Sequence, residues 1–469
     1  MSEAQALFAV LKQSADADCV AALERLVREA PDRQLSRINV LDLAKREGLD
    51  EERTIAAFLH AAQIGLFDMS WNVLCPSCGG VLDANTSLKN VRSDEYHCAF
   101  CNIDNEPTLD DMVEVSFTVS LRARRIAAHN PDELTIWEYY RQVFWGTAVD
   151  LPEENLEAAM QKITLDAVEL PAGEKALLSL QLPVGFVIVL EPATHSAQFV
   201  EVKGEPTDER QNLALVYHNV RATTAITELR PGPLRLSLDN RTGTRVLPAV
   251  FLVNDAMNAL IGKRQPYLSA KRLLSNQTFR DIYRTHTLDI DQRLKITSLT
   301  FLFTDLKGST ELYERVGDLV AFDLVREHFR TLNEIVAAEN GAVVKTIGDA
   351  VMATFLTPDH ALSAALRMRE AMRRLNETHG REDLLLKIGI HEGPCLAVSL
   401  NERQDYFGQT VNIASRVQGL ATSRSILATA PVIQNPRSAS LLGSNGQKPV
   451  AQSHALRGIA SEVPVYEIP

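Results

Sequence analysis

Residues 299–310 read LTFLFTDLKGST and residues 342–355 read AVVKTIGDAVMATF, and the two segments decide the fold of the last third of this 469-residue chain. Leu299–Phe303 is a short apolar run ended by a polar turn, the pattern of a buried strand. Between the segments, Asp318–Glu339 sets Leu324, Phe329, Leu332 and Val336 along one stripe. That spacing predicts a long amphipathic helix, closed by Asn340-Gly341. The second segment splits into two strands, Ala342–Thr346 and Ala350–Phe355, joined tightly at Gly348-Asp349. A helix over Asp359–Leu375 and a strand over Leu384–His391 follow. The order β-α-β-β-α-β is the ferredoxin-like arrangement, an antiparallel sheet with both helices on one face. The other face is left for a partner or a ligand.

Three blocks in this region carry chemistry. In Phe303-Thr304-Asp305-Leu306-Lys307-Gly308-Ser309-Thr310 a carboxylate ends a strand, and Gly plus two hydroxyl residues can start a helix. Free N–H groups at a helix N-terminus suit phosphate, and an Asp suits a hard divalent ion. An Asp there also serves as a cap or turn former, so the block alone decides nothing. Asp349, in Lys345-Thr346-Ile347-Gly348-Asp349, stands at a hairpin turn that could reach the same strand end. Asp is common in turns, but two carboxylates at one sheet edge repel unless a cation lies between them, which argues for Mg²⁺ or Mn²⁺. In the third block, DYFGQTVNIASR over 405–416, Asn412 and Arg416 are four apart on a predicted helix and share one face. By itself that face could simply be solvated.

Together the blocks resemble the class III nucleotidyl cyclase domain, over about residues 294 to 469. The resemblance implies that Asp305 and Asp349 hold two metal ions per site against nucleotide phosphates. It implies that Lys345 and Asp405 recognise the base, and that Asn412 and Arg416 orient the ribose and stabilise charge at the transferring phosphate. Gly308, Ser309 and Thr310 fall in the expected phosphate-binding turn. Arg457, in Leu456-Arg457-Gly458, stands where the family often has a phosphate-binding Lys. Family members work as head-to-tail dimers, and a single domain holding the whole set resembles the homodimeric ones. Lys345 only donates and an ionised Asp405 only accepts. The pair complements the N1 acceptor and amine donor of adenine and opposes guanine, and guanylate-selective relatives carry Glu and Cys-like residues there. The segment Pro394–Arg403 before the recognition Asp looks shorter than in many relatives.

The first two-thirds divide by composition. Residues 1–70 read as a helical, winged-helix-like segment, with helices over Asn39–Gly48 and Glu51–Gln63 and a β-like piece over Met69–Leu74. They hold eight Lys/Arg against twelve Asp/Glu, and Arg53 is the sole Arg of the second helix, which favours a protein contact over DNA. Over 71–111, Cys75-Pro76-Ser77-Cys78 and Cys98-Ala99-Phe100-Cys101, nineteen residues apart, have the spacing of a four-thiolate zinc ribbon. Buried thiols or a redox pair are the alternatives; His97 reads as a bystander. Four sulfurs leave no open position, so the one zinc per chain would be structural. Residues 112–268 alternate in the manner of a β-sandwich, with strands over Ala176–Leu182, Phe186–Leu190, Phe199–Val202, Leu213–Tyr217, Leu234–Leu238 and Ala249–Val253. An aromatic helix is expected over Asp132–Trp145, and a helical stretch, Ser269–Thr285, lies in the linker 269–293 ahead of the cyclase-like region 294–469. The fold class is thus α+β. The N-terminal region resembles the uncharacterised zinc-ribbon region found ahead of some bacterial cyclase domains.

A net charge of −12 speaks against a general nucleic-acid or acidic-membrane binder. No run of eighteen apolar residues and no signal-like start is present, and paired cysteines fit a reducing compartment, so the cytoplasm is expected. The expected activity is ATP cyclisation to cyclic AMP, controlled by N-terminal modules that answer to an unknown ligand or protein. The competing reading is a signal-binding or scaffold protein with an inactive cyclase-like domain. Degenerate domains usually lose a metal Asp or the Asn/Arg pair, and this chain keeps all of them.

Overall fold

The computed structural model describes residues 3–152, 154–218, 226–284, 288, 292–380, 382, 384–400, 403–422, 424–454, 456, 459 and 462–469. The chain forms two compact units, one of Met1–Pro107 with Asp111–Leu268 and one of Thr108–Asp110 with Ser269–Pro469.

The first unit opens with helices Glu3–Leu11, Ala17–Glu29, Val40–Glu47 and Glu51–Gln63. Asp16, Asn39 and Asp50 cap the last three by accepting first-turn N–H groups on their carboxylate or amide oxygens. Strand Phe67–Leu74 then runs antiparallel between Val81–Asn85 and Val113–Val119. Two further sheets follow. One has three strands in the order Gln211–Tyr217, Gly232–Asn240, Lys175–Leu182, and the other five, in the order Ile226–Leu229, Ser196–Val202, Gly185–Glu191, Ala249–Val253, Thr164–Ala167. Leu180, Leu234, Leu236 and Leu238 of the first pack with Val187, Val189, Val200 and Val250 of the second as one core. The expected aromatic helix is broken into a 3-10 turn Pro131–Glu133, one α turn Ile136–Tyr139 and a π turn Tyr140–Phe144. The wide turn lets buried Tyr140 reach the Leu190 carbonyl with its hydroxyl (3.1 Å) while its ring meets those of Phe144, Trp145 and Phe251.

The second unit holds α1 (Ala270–Leu274), α2 (Gln277–Ile282), β1 (Leu294–Leu306), α3 (Ser309–Val316), α4 (Asp318–Ala338), β2 (Gly341–Ile347), β3 (Ala350–Phe355), α5 (Pro358–His379), β4 (Leu386–Leu400), β5 (Arg403–Phe407), α6 (Gln409–Leu420), β6 (Ile426–Thr429), α7 (Ala430–Gln434), α8 (Pro436–Ser444), β7 (Val450–His454) and β8 (Val463–Ile468). The single helix expected over Ser269–Thr285 is two, because Asn276 caps α2 by accepting the Phe279 N–H (3.0 Å) and so restarts the helix; Thr285 lies outside the described residues. The segment Pro394–Arg403 is mostly strand: β4 runs on to Leu400 and pairs antiparallel with β5.

The sheet order is β2-β3-β1-β4-β6-β8-β7, with β5 on β4. Every pair except β4 with β6 is antiparallel. Leu302, Leu306, Val351, Ala353, Phe355, Ile388 and Ile390 point to one face, where Leu332, Val336, Leu362 and Met368 of α4 and α5 complete the main core. Strand alternation sends Asp305, Lys387 and Gly389 to the opposite face. There α6 packs so closely that a Cβ on Gly389 would stand 2.2 Å from the Gln418 backbone nitrogen, so only glycine fits.

Candidate active site and a four-cysteine cluster

Asp305 sits at the end of β1, where the register Thr304↔Val351 brings the hairpin turn carrying Asp349 to the same edge. The Val351 N–H donates to the Thr304 hydroxyl (3.1 Å) and locks that register. Gly348 makes the turn at φ +63°, a conformation that costs any residue with a Cβ. One carboxylate oxygen of Asp349, Oδ2, is buried with no hydrogen-bond partner among the described residues. Such an atom costs about 1–3 kcal/mol unless something pairs with it. Nearby His328 is buried and pushed down to about pKa 4 by desolvation, which the Asp349 charge partly opposes. It therefore brings no positive charge to Asp349 near neutrality. Asp305 faces Lys387 across the β1–β4 ladder, with Lys387 Nζ 3.5 Å from Asp305 Oδ2.

Beyond Asp305 the chain turns through Gly308 at φ +71° and α3 begins at Ser309. The first N–H groups of α3, from Ser309 and Thr310 onward, therefore begin four positions after Asp305. Arg457 lies outside the described residues.

Lys345 on β2 and Asp405 on β5 form an ion pair, Nζ to Oδ2. Asp405 is only 6 % exposed, and its other oxygen accepts the Tyr406 N–H (2.9 Å). A nearly buried carboxylate and a half-exposed ammonium thus share one spot although sixty positions separate them. On α6, Asn412 is exposed and Arg416 half-buried, one turn apart on the face of the sheet that also holds Asp305. Neither side chain has a hydrogen bond or ion pair among the described residues, whereas Val417 and Ala414 bury the opposite side of the helix.

Two basic residues escaped the sequence reading. Lys387 could have been found by counting back two positions from Gly389 in the Leu384–His391 strand, once Asp305 was placed at the end of its neighbour. Arg280, in a segment read as linker, carried no sequence signal at all.

In the first unit, the sulfurs of Cys75, Cys78, Cys98 and Cys101 all lie within 4.8 Å of one another. Cys75 and Cys101 are 3.9 Å apart and Cys78 and Cys98 3.7 Å. Four thiolates at about 2.3 Å from one tetrahedral ion stand about 3.8 Å apart, while a disulfide needs about 2.05 Å. The spacing fits a shared metal ion and excludes a disulfide. The neighbouring sulfurs, Cys101 first, hold the Cys75 thiol well below its usual range, while Cys78 and Cys98 are pushed up, chiefly by Cys101 and Cys75 and further by burial. His97 turns to Asp104 instead (2.8 Å) and lies outside the sulfur cluster.

Two family models match the chain. Residues 1–281 match a family of unknown function, DUF5939, and residues 292–445 match the adenylate and guanylate cyclase catalytic domain. The chain belongs to the DUF5939 family, and its C-terminal part is a class III adenylate/guanylate cyclase catalytic domain. Among similar proteins, the adenylate cyclase of Anabaena cylindrica is 29% identical over 188 residues, 36% of this chain and 36% of that protein. Adenylate cyclase 1 of Rhizobium meliloti is 30% identical over 151 residues, 29% of this chain and 23% of that protein. The chain thus spans about a third or less of the length of these curated relatives. The crystal structure of the adenylyl cyclase CyaB from P. aeruginosa is 24% identical, covers 38% of this chain and 96% of its own, and superposes with a TM-score of 0.33. No helix among the described residues is long and apolar enough to cross a membrane.

Proposed function

We propose that the chain converts ATP to 3′,5′-cyclic AMP and pyrophosphate by a two-metal mechanism, at a site built by two copies of itself. The observation that carries the choice of base is the Lys345–Asp405 pair, a donor and an acceptor held side by side. Adenine answers both groups; guanine mismatches both, leaving buried polar groups unpaired.

Asp305 and Asp349 are the residues for two Mg²⁺ or Mn²⁺ ions, and the Oδ2 of Asp349, buried with no partner among the described residues, suits a divalent cation. Bound there, divalent ions supply a lowered pKa for the ribose 3′-hydroxyl and charge neutralisation for the phosphates. The chain's own groups do the rest. The Gly308 turn and the N-terminus of α3 with Ser309 and Thr310, aided by Arg457, hold the terminal phosphates. Lys387, beside Asp305, adds a further cation for them. Asn412 orients the ribose so that its 3′-oxygen lies in line with the α-phosphorus. Arg416 stabilises the negative charge that grows on the α-phosphoryl group.

The four cysteines hold one structural Zn²⁺, supported by their spacing and by the lack of an open position. The first unit serves as a regulatory module for an unidentified ligand or protein, and the reduced thiols favour the cytoplasm. Turnover by the full chain with ATP and with GTP, in Mg²⁺ or Mn²⁺, is the deciding experiment. Cyclic AMP as the main product supports the reading. No turnover of either nucleotide in either metal would return the inactive scaffold.

A further inference from the structure

Strand β2 carries a bulge between Val343 and Lys345 where it pairs with β3, so Val344 drops out of the ladder. Helix α2 docks on that bulge. Gln277 Oε1 accepts the Val343 N–H (2.8 Å), and Arg280 donates from Nε to the Val343 carbonyl (3.2 Å) and from Nη2 to the Val344 carbonyl (3.2 Å). The same Nη2 reaches the Gln404 carbonyl on β5 (3.0 Å), and Nη1 the Leu274 carbonyl at the end of α1 (3.5 Å). Val344 immediately precedes Lys345, and Gln404 immediately precedes Asp405. A single guanidinium thus joins the residues just ahead of both members of the pair. The ladder does not set their separation, because β2 lies at one edge of the sheet and β5 hangs on β4. Buried Tyr406 backs the arrangement, donating its hydroxyl to the Leu274 carbonyl (3.3 Å) and accepting from Gln404 Nε2 (3.1 Å). A cavity of about 400 Å³ opens beside the clamp, bordered by Arg280, Lys345, Thr346 and Gln404.

We infer that Arg280 is a positioning residue for nucleotide choice: its planar fork sets the distance between Lys345 and Asp405, and with it the match to one base edge. Arg280 lies within the DUF5939 match and ahead of the residues matched by the cyclase domain, so base selection draws on a residue from outside the cyclase match. The inference rests on the reading of Lys345 and Asp405 as the base contacts. Lysine cannot replace the fork, since an ammonium has no planar set of donors to span four carbonyls.

The test is steady-state kinetics of the full-length chain with ATP and GTP for Arg280→Lys, Gln277→Ala, Lys345→Met and the Arg280→Lys/Lys345→Met double variant. A displacement near 1 Å costs up to about a hundredfold, so Arg280→Lys is expected to lower the ATP-to-GTP ratio of kcat/KM about tenfold, mainly through KM for ATP. Gln277→Ala, which loosens the same bulge and leaves every charge in place, moves the ratio the same way by less. In the Lys345→Met background, Arg280→Lys has no further effect on the ratio, because it acts through Lys345. Thermal melting of each variant is followed in parallel. If Lys345→Met shifts the ratio while Arg280→Lys and Gln277→Ala lower only the melting temperature, Arg280 is a structural brace and the inference is overturned. If Lys345→Met leaves the ratio unchanged, the base-contact reading fails first and takes the inference with it. If Arg280→Lys does not fold, Gln277→Ala alone decides by the same criterion.

Discussion

The carboxylates of Asp305 and Asp349 are set at one sheet edge by a strand end and a glycine turn, and Asp349 holds a buried oxygen with no partner among the described residues. That cost of about 1–3 kcal/mol is recovered when a group pairs with the oxygen, as a bound cation would. Asp349→Ala is therefore expected to leave thermal stability unchanged or slightly raised in metal-free buffer while turnover falls more than about a hundredfold, since even outer-shell changes at metal sites cost 10–100-fold. Asp305→Ala should lose activity to the same degree. Near-normal turnover of either variant at saturating metal would remove the two-metal assignment. At Lys345 and Asp405 the expected preference for ATP over GTP reaches up to about 10⁴ in kcat/KM, the limit set by an unpaired buried edge. Comparable efficiency on both nucleotides would rule out this pair as the selector. These candidate residues were legible in the sequence because each stands in a short block whose residue types suit the proposed chemistry. Lys387 and Arg280 were not, because their placement beside Asp305 and on the bulge comes from cross-strand register and from carbonyl geometry, which no local pattern encodes.

At the scale of elements, the strands and long helices follow the hydrophobic period, while the boundaries that moved are those set by a polar residue or a ring cluster. Asn276 splits a stretch read as one helix, and Tyr140 takes a π turn to satisfy its hydroxyl. Two buried histidines give the catalytic unit a pH limit. His391 on β4 bonds the Thr429 hydroxyl (2.7 Å), and burial pushes it down to about 4; His328 on α4 is also at about 4, chiefly through burial. A histidine whose folded pKa lies below its unfolded value of about 6.5 protonates first in the unfolded chain. Stability is thus fully present above about pH 6.5 and drains away as pH falls toward about 4, each histidine giving up on the order of 3 kcal/mol. Melting curves between pH 7 and pH 4 should show this fall, and His391→Gln should flatten part of it. A His391→Gln curve that parallels wild type would show that His391 does not titrate in this way. In the first unit, Cys78→Ser removes one of four sulfurs within 4.8 Å of each other. It is expected to abolish stoichiometric zinc, measured by elemental analysis of protein purified without chelator, and to lower the first unit's melting temperature. Zinc-free wild-type protein with an undisturbed first unit would count against the metal.

At the scale of the molecule, the sheet sends α4 and α5 to one face and leaves Asp305, Lys387 and α6 on the other. Asn412 and Arg416 sit on that face with no partner among the described residues, which is what the proposed site shared between two copies requires of them. Asp305→Ala and Arg416→Ala should each be inactive alone. After mixing and subunit exchange, a heterodimer has one site spoiled twice and one site that takes Asp305 from one chain and Arg416 from the other. With random pairing about half the dimers are mixed, each with one intact site of two, so activity should return to roughly a quarter of wild type. The size of the recovery separates the models. A site complete within one chain gives none, because each variant then carries its own lesion in every site. A recovery between a quarter and a half reflects preferred pairing of unlike chains, and one above a half means that the two sites of a dimer are coupled, with the intact one running faster when its neighbour is dead. Exchange is verified first with differently tagged chains, so that silence on mixing counts as evidence against a shared site.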